Sequence, residues 1–492
     1  MELKKIANLI HEKKFKEAKT ELIELEKKKV KSIDNRPNLE KKYENIYFTL
    51  SQVCTQLNEL KNSKKYLISH LQIRPNDSEA LFNLANLNLK THEIENVEQI
   101  YKKILKIDKN NLPANVNLAF FYEGTGKIDK AKKFYKIANE LEPSNLNFHY
   151  NLMRLSSDYS NNNTIVFIKK LIEEKKILDK DKFLANFILS KNSEKKKEYL
   201  NEIKFLDLAH NLFLKNNVNK KSNKYWLDIV PSFYKKLTIK GSTKNILKKI
   251  EPIFIIGLPR SGSTITELVL STSKTSKSIL GESSFINQAL LSTYGDKFFN
   301  KEQQDNFEID VGILEEKIIS NLQNFNIFAT DQNIIIDKSL ENFFYIDLII
   351  NIFPNAKFII TERNIGENII GIYKKILLDI PWAHSISEIV KYIKNYKTII
   401  DIYVKKYSEK FFIIKLIDLQ NSNKKKISNL FKFCNLDFND KYFEFQKQNQ
   451  FINNASNIQI RKKLSKNDRN KYNKYMYLLK SYEKDYPWIK ND

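Results

Sequence analysis

The chain has 492 residues, 83 basic against 58 acidic, for a formal net charge of +25. That length suggests roughly two to four domains with ample core, in a positive field that favours anionic ligands. The lysines are dispersed along the whole chain, so the charge reads as a compositional bias and not as a nucleic-acid-binding stripe, and no nucleic acid is expected as a partner. Two distant cysteines, Cys54 and Cys434, exclude a disulfide framework and zinc spacing, and six histidines, none in a ligand pair, imply no metal. The start of the chain lacks the apolar stretch of a signal peptide, and no run approaches the ~18 apolar residues a membrane helix needs. A cytoplasmic protein without a membrane span is expected.

The N-terminal third repeats itself at a shift of 34 residues. Asn83-Leu84-Ala85 aligns with Asn117-Leu118-Ala119 and then with Asn151-Leu152; Tyr101-Lys102 aligns with Tyr135-Lys136; Ile73, Ile107 and Leu141 keep the same interval. That period, with small and aromatic residues at fixed places, is the tetratricopeptide signature of one helix pair per repeat. The segment from Gly124 to Ala131 supplies the turn inside the best repeat, Pro75 and Pro143 mark repeat ends, and weaker copies cover residues 1–74. A helix pair cannot bury its apolar face alone, so the pairs must stack into a curved solenoid over residues 1–155. Such a surface either holds a peptide or protein or braces the second half of the chain. Residues 156–245 carry helical patterns between polar breaks and read as a helical connector.

Pro252-Ile-Phe-Ile-Ile-Gly257 is an apolar run that ends in a glycine-bracketed turn, Gly257-Leu-Pro-Arg260-Ser261-Gly262-Ser263-Thr264, before a helical pattern at Ile265, Leu268 and Val269. Strand, loop and helix start in that order present backbone N–H groups to an anion. Gly257, Gly262 and Thr264 keep the spacing of a nucleoside-triphosphate loop, but Ser263 stands where its lysine belongs. Arg260 offers a planar fork to an oxyanion instead. The ligand reads as a nucleotide with a short phosphate-like tail. Further apolar runs, Ile334–Asp337, Lys357–Thr361 and Phe411–Lys415, alternate with helical segments, which argues a parallel sheet with sites beyond the strand ends.

Pro259-Arg260-Ser261-Gly262-Ser263-Thr264 resembles the P-R-S-G-[ST]-T loop of sulfotransferases, and the arrangement is most similar to the bacterial tetratricopeptide-repeat sulfotransferases, relatives of the tyrosylprotein sulfotransferases. The resemblance implies that Arg260, Ser261, Gly262, Ser263 and Thr264 hold the 5′-phosphosulfate of PAPS (3′-phosphoadenosine 5′-phosphosulfate). Asp337-Lys338 resembles an element whose lysine meets the donor's bridging oxygen. Gly281-Glu282-Ser283 resembles an element with a carboxylate general base. Arg363 matches an arginine that grips the 3′-phosphate. Asn454-Ala-Ser456-Asn-Ile-Gln459-Ile-Arg461 resembles a C-terminal segment whose serine serves the leaving group and whose arginine meets the nucleotide. The chain departs from the pattern at six places: Gly371 replaces a serine eight residues after Arg363, Asn364-Ile365 replaces aspartate-proline, Ser283 replaces a second carboxylate, Lys415-Leu-Ile-Asp removes a tyrosine, Asn454 replaces a threonine, and Lys463 replaces a proline two residues after Arg461. Lys374 or Lys375 stands close enough to Arg363 in sequence to compensate for Gly371.

The expectation is therefore an α plus α/β chain. An all-helical tetratricopeptide solenoid (1–155) and a connector (156–245) precede a P-loop-like α/β sulfotransferase domain with a parallel sheet (246–492). It would move a sulfuryl group from PAPS to a hydroxyl acceptor, with a protein or peptide held by the repeats among the candidate acceptors, and would bind PAP without metal. A repeat scaffold with a decayed transferase half, a protein-interaction module and a P-loop nucleotide kinase remain the rival readings.

Overall fold

The computed structural model describes residues 2–32, 45–156, 162–174, 178–215, 217–241, 243, 245–300, 307–325, 327–329, 333–442, 451 and 472–490. Its packing divides into two compact units, one of residues Met1–Glu123, Asp129–Leu141 and Ile319–Thr330, the other of Gly124–Ile128, Glu142–Ile318 and Asp331–Asp492.

The first unit is helical. Helices Ile46–Gln56, Leu60–Ile73, Ser78–Lys90, Val97–Ile107, Leu112–Gly124 and Ile128–Leu141 follow Glu2–His11 and Phe15–Ser32. The repeated residues explain the stacking. Ala85, Ala119, Ala131 and Ala138 have no exposed surface, so neighbouring backbones approach closely, and Tyr101 and Tyr135 fill the space between helices. Asn86 Oδ1 accepts from Tyr101 Oη at 2.6 Å and from Asn117 Nδ2 at 3.0 Å, tying one repeat to the next. Asp77 caps its helix by accepting from the N–H groups of Glu79 and Ala80. Helix Leu60–Ile73 is capped from far along the chain. Asn324 Oδ1 accepts from Leu60 N at 3.0 Å while Asn324 Nδ2 donates to Asn58 O at 2.9 Å. Asn58 Nδ2 in turn donates to Asn321 Oδ1 at 2.8 Å.

In the second unit, helices Leu146–Leu155, Asn162–Glu173, Asp179–Lys195, Tyr199–Leu214 and Asn217–Lys224 lead into the strands. The strands are β1 (Leu237–Lys240), β2 (Glu251–Gly257), β3 (Ser278–Gly281), β4 (Phe307–Asp310), β5 (Ile334–Asp337), β6 (Lys357–Glu362) and β7 (Phe411–Lys415). Five of them form a parallel sheet in the order β3-β5-β2-β6-β7, and β1 pairs with β4 in a small parallel sheet. The expected parallel α/β architecture is thus present. β1, β3 and β4 are additions to the strands read from the sequence.

Ile253, Ile255, Ile336, Ile359 and Ile414 pack one sheet face against Leu268, Leu419, Ile427 and Phe431 of the flanking helices. Phe254, Phe358 and Phe411 occur at registered positions on three adjacent strands and stack across them, with ring centroids 5.7 and 5.1 Å apart. The chain leaves β2 for β3 and β5 on one side and returns to β6 on the other. β2 therefore ends at a switch point, where parallel sheets open a crevice. Among the described residues no helix is long and apolar enough to cross a membrane.

Candidate functional site

Four neighbouring strand ends carry the site. The loop after β2 is forced into shape by two glycines. Gly257 has φ +148°, and a Cβ there would lie 2.7 Å from Thr361 Oγ1 and 2.9 Å from Thr361 O on β6. Gly262 has φ +109° and starts helix Ser263–Ser271. Arg260, at φ +71°, is a non-glycine residue in the left-handed region, a strained state that persists where surrounding structure imposes it. Ser261 Oγ donates to Thr361 Oγ1 at 2.6 Å, and Thr361 Oγ1 donates to Ile256 O, so the loop is stapled to β6. Asn368 Nδ2 holds Pro259 O from the helix after β6. Ser261, Ser263 and Thr264 are buried at the base of the crevice.

On the β5 side, Lys338 follows the strand and is 1% exposed. Its Nζ donates to Glu282 Oε1, just beyond β3, at 2.5 Å, and lies 4.0 Å from Glu267 Oε2 on the loop helix. Burial alone would lower the Lys338 pKa, but the Glu282 and Glu267 carboxylates outweigh it and raise it, so the ammonium stays charged. Glu267 is buried, and desolvation pushes its carboxyl up to about 7 against the pull of Lys338. Glu282 points outward, with about half its side chain exposed. Asp337 does different work. It accepts from Ser283 Oγ, from Ser339 N at 3.0 Å and Oγ at 3.1 Å, and from Asn342 Nδ2 at 2.8 Å, which fixes the turn that presents Lys338. The Ser283 hydroxyl is thereby spent on Asp337.

On the β6 side, Arg363 gives Nε and Nη2 to Glu367 Oε2 at 3.1 and 2.8 Å. That ion pair turns Nη1 toward Gly371, where a Cβ would stand 3.8 Å from it and 3.9 Å from Arg260 Cβ. Asn364, which stands in place of the aspartate in the aspartate-proline pair, caps helix Ile365–Tyr373 through Glu367 N at 2.9 Å. Burial, and then repulsion from Arg260, Lys191 and Arg154, bring Lys375 down to about 7. Lys374 turns elsewhere, to Glu194 and Glu202 at 2.7 Å each. The crevice thus has a cationic wall suited to phosphate on one side and a lysine–carboxylate pair on the other.

Glu282, Lys338, the loop residues and Arg363 lie at neighbouring strand ends. Ser456 and Arg461 lie outside the described residues. Sequence reasoning missed Glu267, Lys375's neighbours Lys191 and Arg154, and Tyr472, whose ring carries the Arg363 guanidinium at 5.1 Å. Nothing in the primary pattern marks them, because each joins the cluster through folding alone.

Residues 252–440 match the model of the sulfotransferase family, and residues 112–145 match that of a tetratricopeptide repeat. A protein of Aquifex aeolicus (strain VF5), uncharacterised, is 25% identical over 338 residues. That alignment takes in 65% of this chain and 43% of the relative, so the chain spans less than half of that protein's length. The sulfotransferase domain of the Synechococcus PCC 7002 olefin synthase aligns with 48% of this chain and 91% of its own, at 16% identity and a TM-score of 0.30. The tetratricopeptide domain of P58(IPK) aligns with 90% of this chain and 99% of its own, at 11% identity and a TM-score of 0.22. Residues 252–440 are thus similar to a sulfotransferase-family domain and residues 112–145 to a tetratricopeptide repeat.

Proposed function

We propose that this chain is a PAPS-dependent sulfotransferase that moves a sulfuryl group to a hydroxyl acceptor. The observation that carries the reading is the order of side chains across the sheet: Glu282, Lys338, the Arg260 loop, then Arg363 at successive strand ends β3, β5, β2 and β6. A bound donor needs the same order, from acceptor base through sulfuryl group and 5′-phosphate to 3′-phosphate. In this scheme the loop amides, Ser261, Gly262, Ser263, Thr264 and Arg260 hold the 5′ end, and Arg363 with Lys375 holds the 3′-phosphate. Glu282 takes the proton of the acceptor hydroxyl as its oxygen forms a bond to sulfur. The bond from sulfur to the 5′-phosphate oxygen breaks, PAP departs, and Lys338 neutralises the charge that grows on the leaving oxygen. The resemblance adds Ser456 at the leaving group and Arg461 at the nucleotide. The repeats (1–155) and connector (156–245) would bring a protein or peptide acceptor to the transferase part (246–492).

Calorimetry with PAP tests the donor site, with ATP and the Arg260→Ala variant as controls. PAP is expected to bind without added metal. Loss of the charge-assisted contact should weaken it by about 10- to 150-fold, as ~1.5–3 kcal/mol implies. A folded protein that binds ATP in preference to PAP, or binds neither, overturns the proposal.

A further inference from the structure

We propose that the Tyr472 hydroxyl is a contact for the donor's 3′-phosphate, filling the place that Gly371 leaves without a side chain. The inference rests on the reading of this pocket as a 3′-phosphoadenosine site. A Cβ built on Gly371 would stand 3.7 Å from Tyr472 Oη, 3.8 Å from Arg363 Nη1 and 3.9 Å from Arg260 Cβ. The hydroxyl therefore arrives, from a distant part of the chain, at the point that Arg363 Nη1 and Arg260 Cβ also approach. The Arg363 guanidinium lies over the Tyr472 ring, so the aromatic face supports the cation. Tyr472 is 8% exposed, held in the cluster and not on the open surface. A phenol hydroxyl beside the Arg363 guanidinium can donate a further hydrogen bond to a phosphate oxygen without adding to the local charge.

The segment that carries Tyr472 is built to stay in place. Tyr475 N donates to Tyr472 O at 2.9 Å and opens the turn Asn473–Leu479. Tyr475 Oη donates to Glu202 Oε2 at 2.7 Å and accepts from Lys374 Nζ at 2.5 Å. Helix Ile365–Tyr373 makes room for this turn with both of its glycines. A Cβ on Gly366 would stand 2.7 Å from Met476 Cε, as one on Gly371 would meet Tyr472 Oη. Anchoring of this kind holds the hydroxyl in position before any ligand arrives, which is where a hydrogen bond gains most in binding.

The test is calorimetry on the full chain with PAP and with adenosine 5′-phosphate, for the parent protein, Tyr472→Phe, and Tyr472→Phe combined with Gly371→Ser. Thermal unfolding checks that each variant is folded. Loss of one hydrogen bond to the charged phosphate is expected to weaken PAP by roughly 10- to 150-fold. Adenosine 5′-phosphate, which lacks the 3′-phosphate, should bind all three proteins alike. Gly371→Ser should restore most of the loss by supplying a hydroxyl at the same point. Equal losses for both ligands, or no loss for PAP, overturn the role of Tyr472 while leaving the donor site standing. A parent protein that binds PAP no better than adenosine 5′-phosphate overturns the role of Tyr472 and the 3′-phosphate reading together.

Discussion

The carboxyl of Glu267 lies 6% exposed on the helix after the phosphate-sized loop, beside Lys338 and near Glu282 and Asp337. Desolvation disfavours its charged form more than Lys338 favours it, and its pKa rises from 4.5 to about 7. A raised folded-state value means that the folded protein holds this proton more tightly than the unfolded chain. The stabilisation is full below the unfolded value and is lost as pH climbs through about 7. Glu267→Gln keeps the shape and removes the titration. Urea unfolding of parent and variant from pH 4 to pH 8 should show a gap that grows with pH in favour of the variant. It should reach about 3 kcal/mol at most, since each pKa unit is worth about 1.4 kcal/mol. A gap that stays flat across this range would show that Glu267 does not titrate there. Asp337 sits just as deep, yet its four donors commit it to shaping the turn, so burial alone does not mark a reactive carboxylate.

At the scale of elements, the loop depends on the tight pairing of β2 with β6. Gly257→Ala would thrust a Cβ into Thr361 and hold a side chain at φ +148°. Such a change should cost about 1–3 kcal/mol in a denaturant titration and take PAP binding with it, because Ser261 hangs from the same threonine. β2, β5, β6 and β7 were legible because each is an apolar run bounded by turn residues. β1 and β4, four residues each and only half buried, and β3, equally short, carry no such run; they are strands because a partner stands beside them. The site divides in the same way. Arg260, Lys338 and Arg363 follow strands that show as apolar runs, whereas Glu282 follows β3 and was marked only by the resemblance of Gly281-Glu282-Ser283. Tyr472 stands more than 100 residues from Arg363, and only folding joins them. Periodicity also reveals spacing without revealing burial. Tyr101 and Tyr135 repeat and are buried, whereas Ile73, Ile107 and Leu141 repeat at helix ends and are 48%, 48% and 36% exposed.

Over the whole molecule, helices that precede the sheet are joined to it by charge. Lys374, at the end of the helix after β6, pairs with Glu194 and with Glu202, which has no exposed surface. Removing the lysine leaves a carboxylate uncompensated in the interior, so Lys374→Met should destabilise by about 3–5 kcal/mol in a denaturant titration. Adding Glu202→Gln should recover part of that loss; no recovery would mean that packing, and not charge, makes the connection. The cap on helix Leu60–Ile73 bears on how the chain is made. Leu60 and the Asn324 that satisfies its N–H are 264 residues apart. At about 5–20 residues per second of synthesis, the helix emerges from the ribosome roughly 13 to 53 s before its cap exists. For that interval the early helices have only one another and water to bond with. Helix Leu60–Ile73 is therefore completed only after Asn324 has been made.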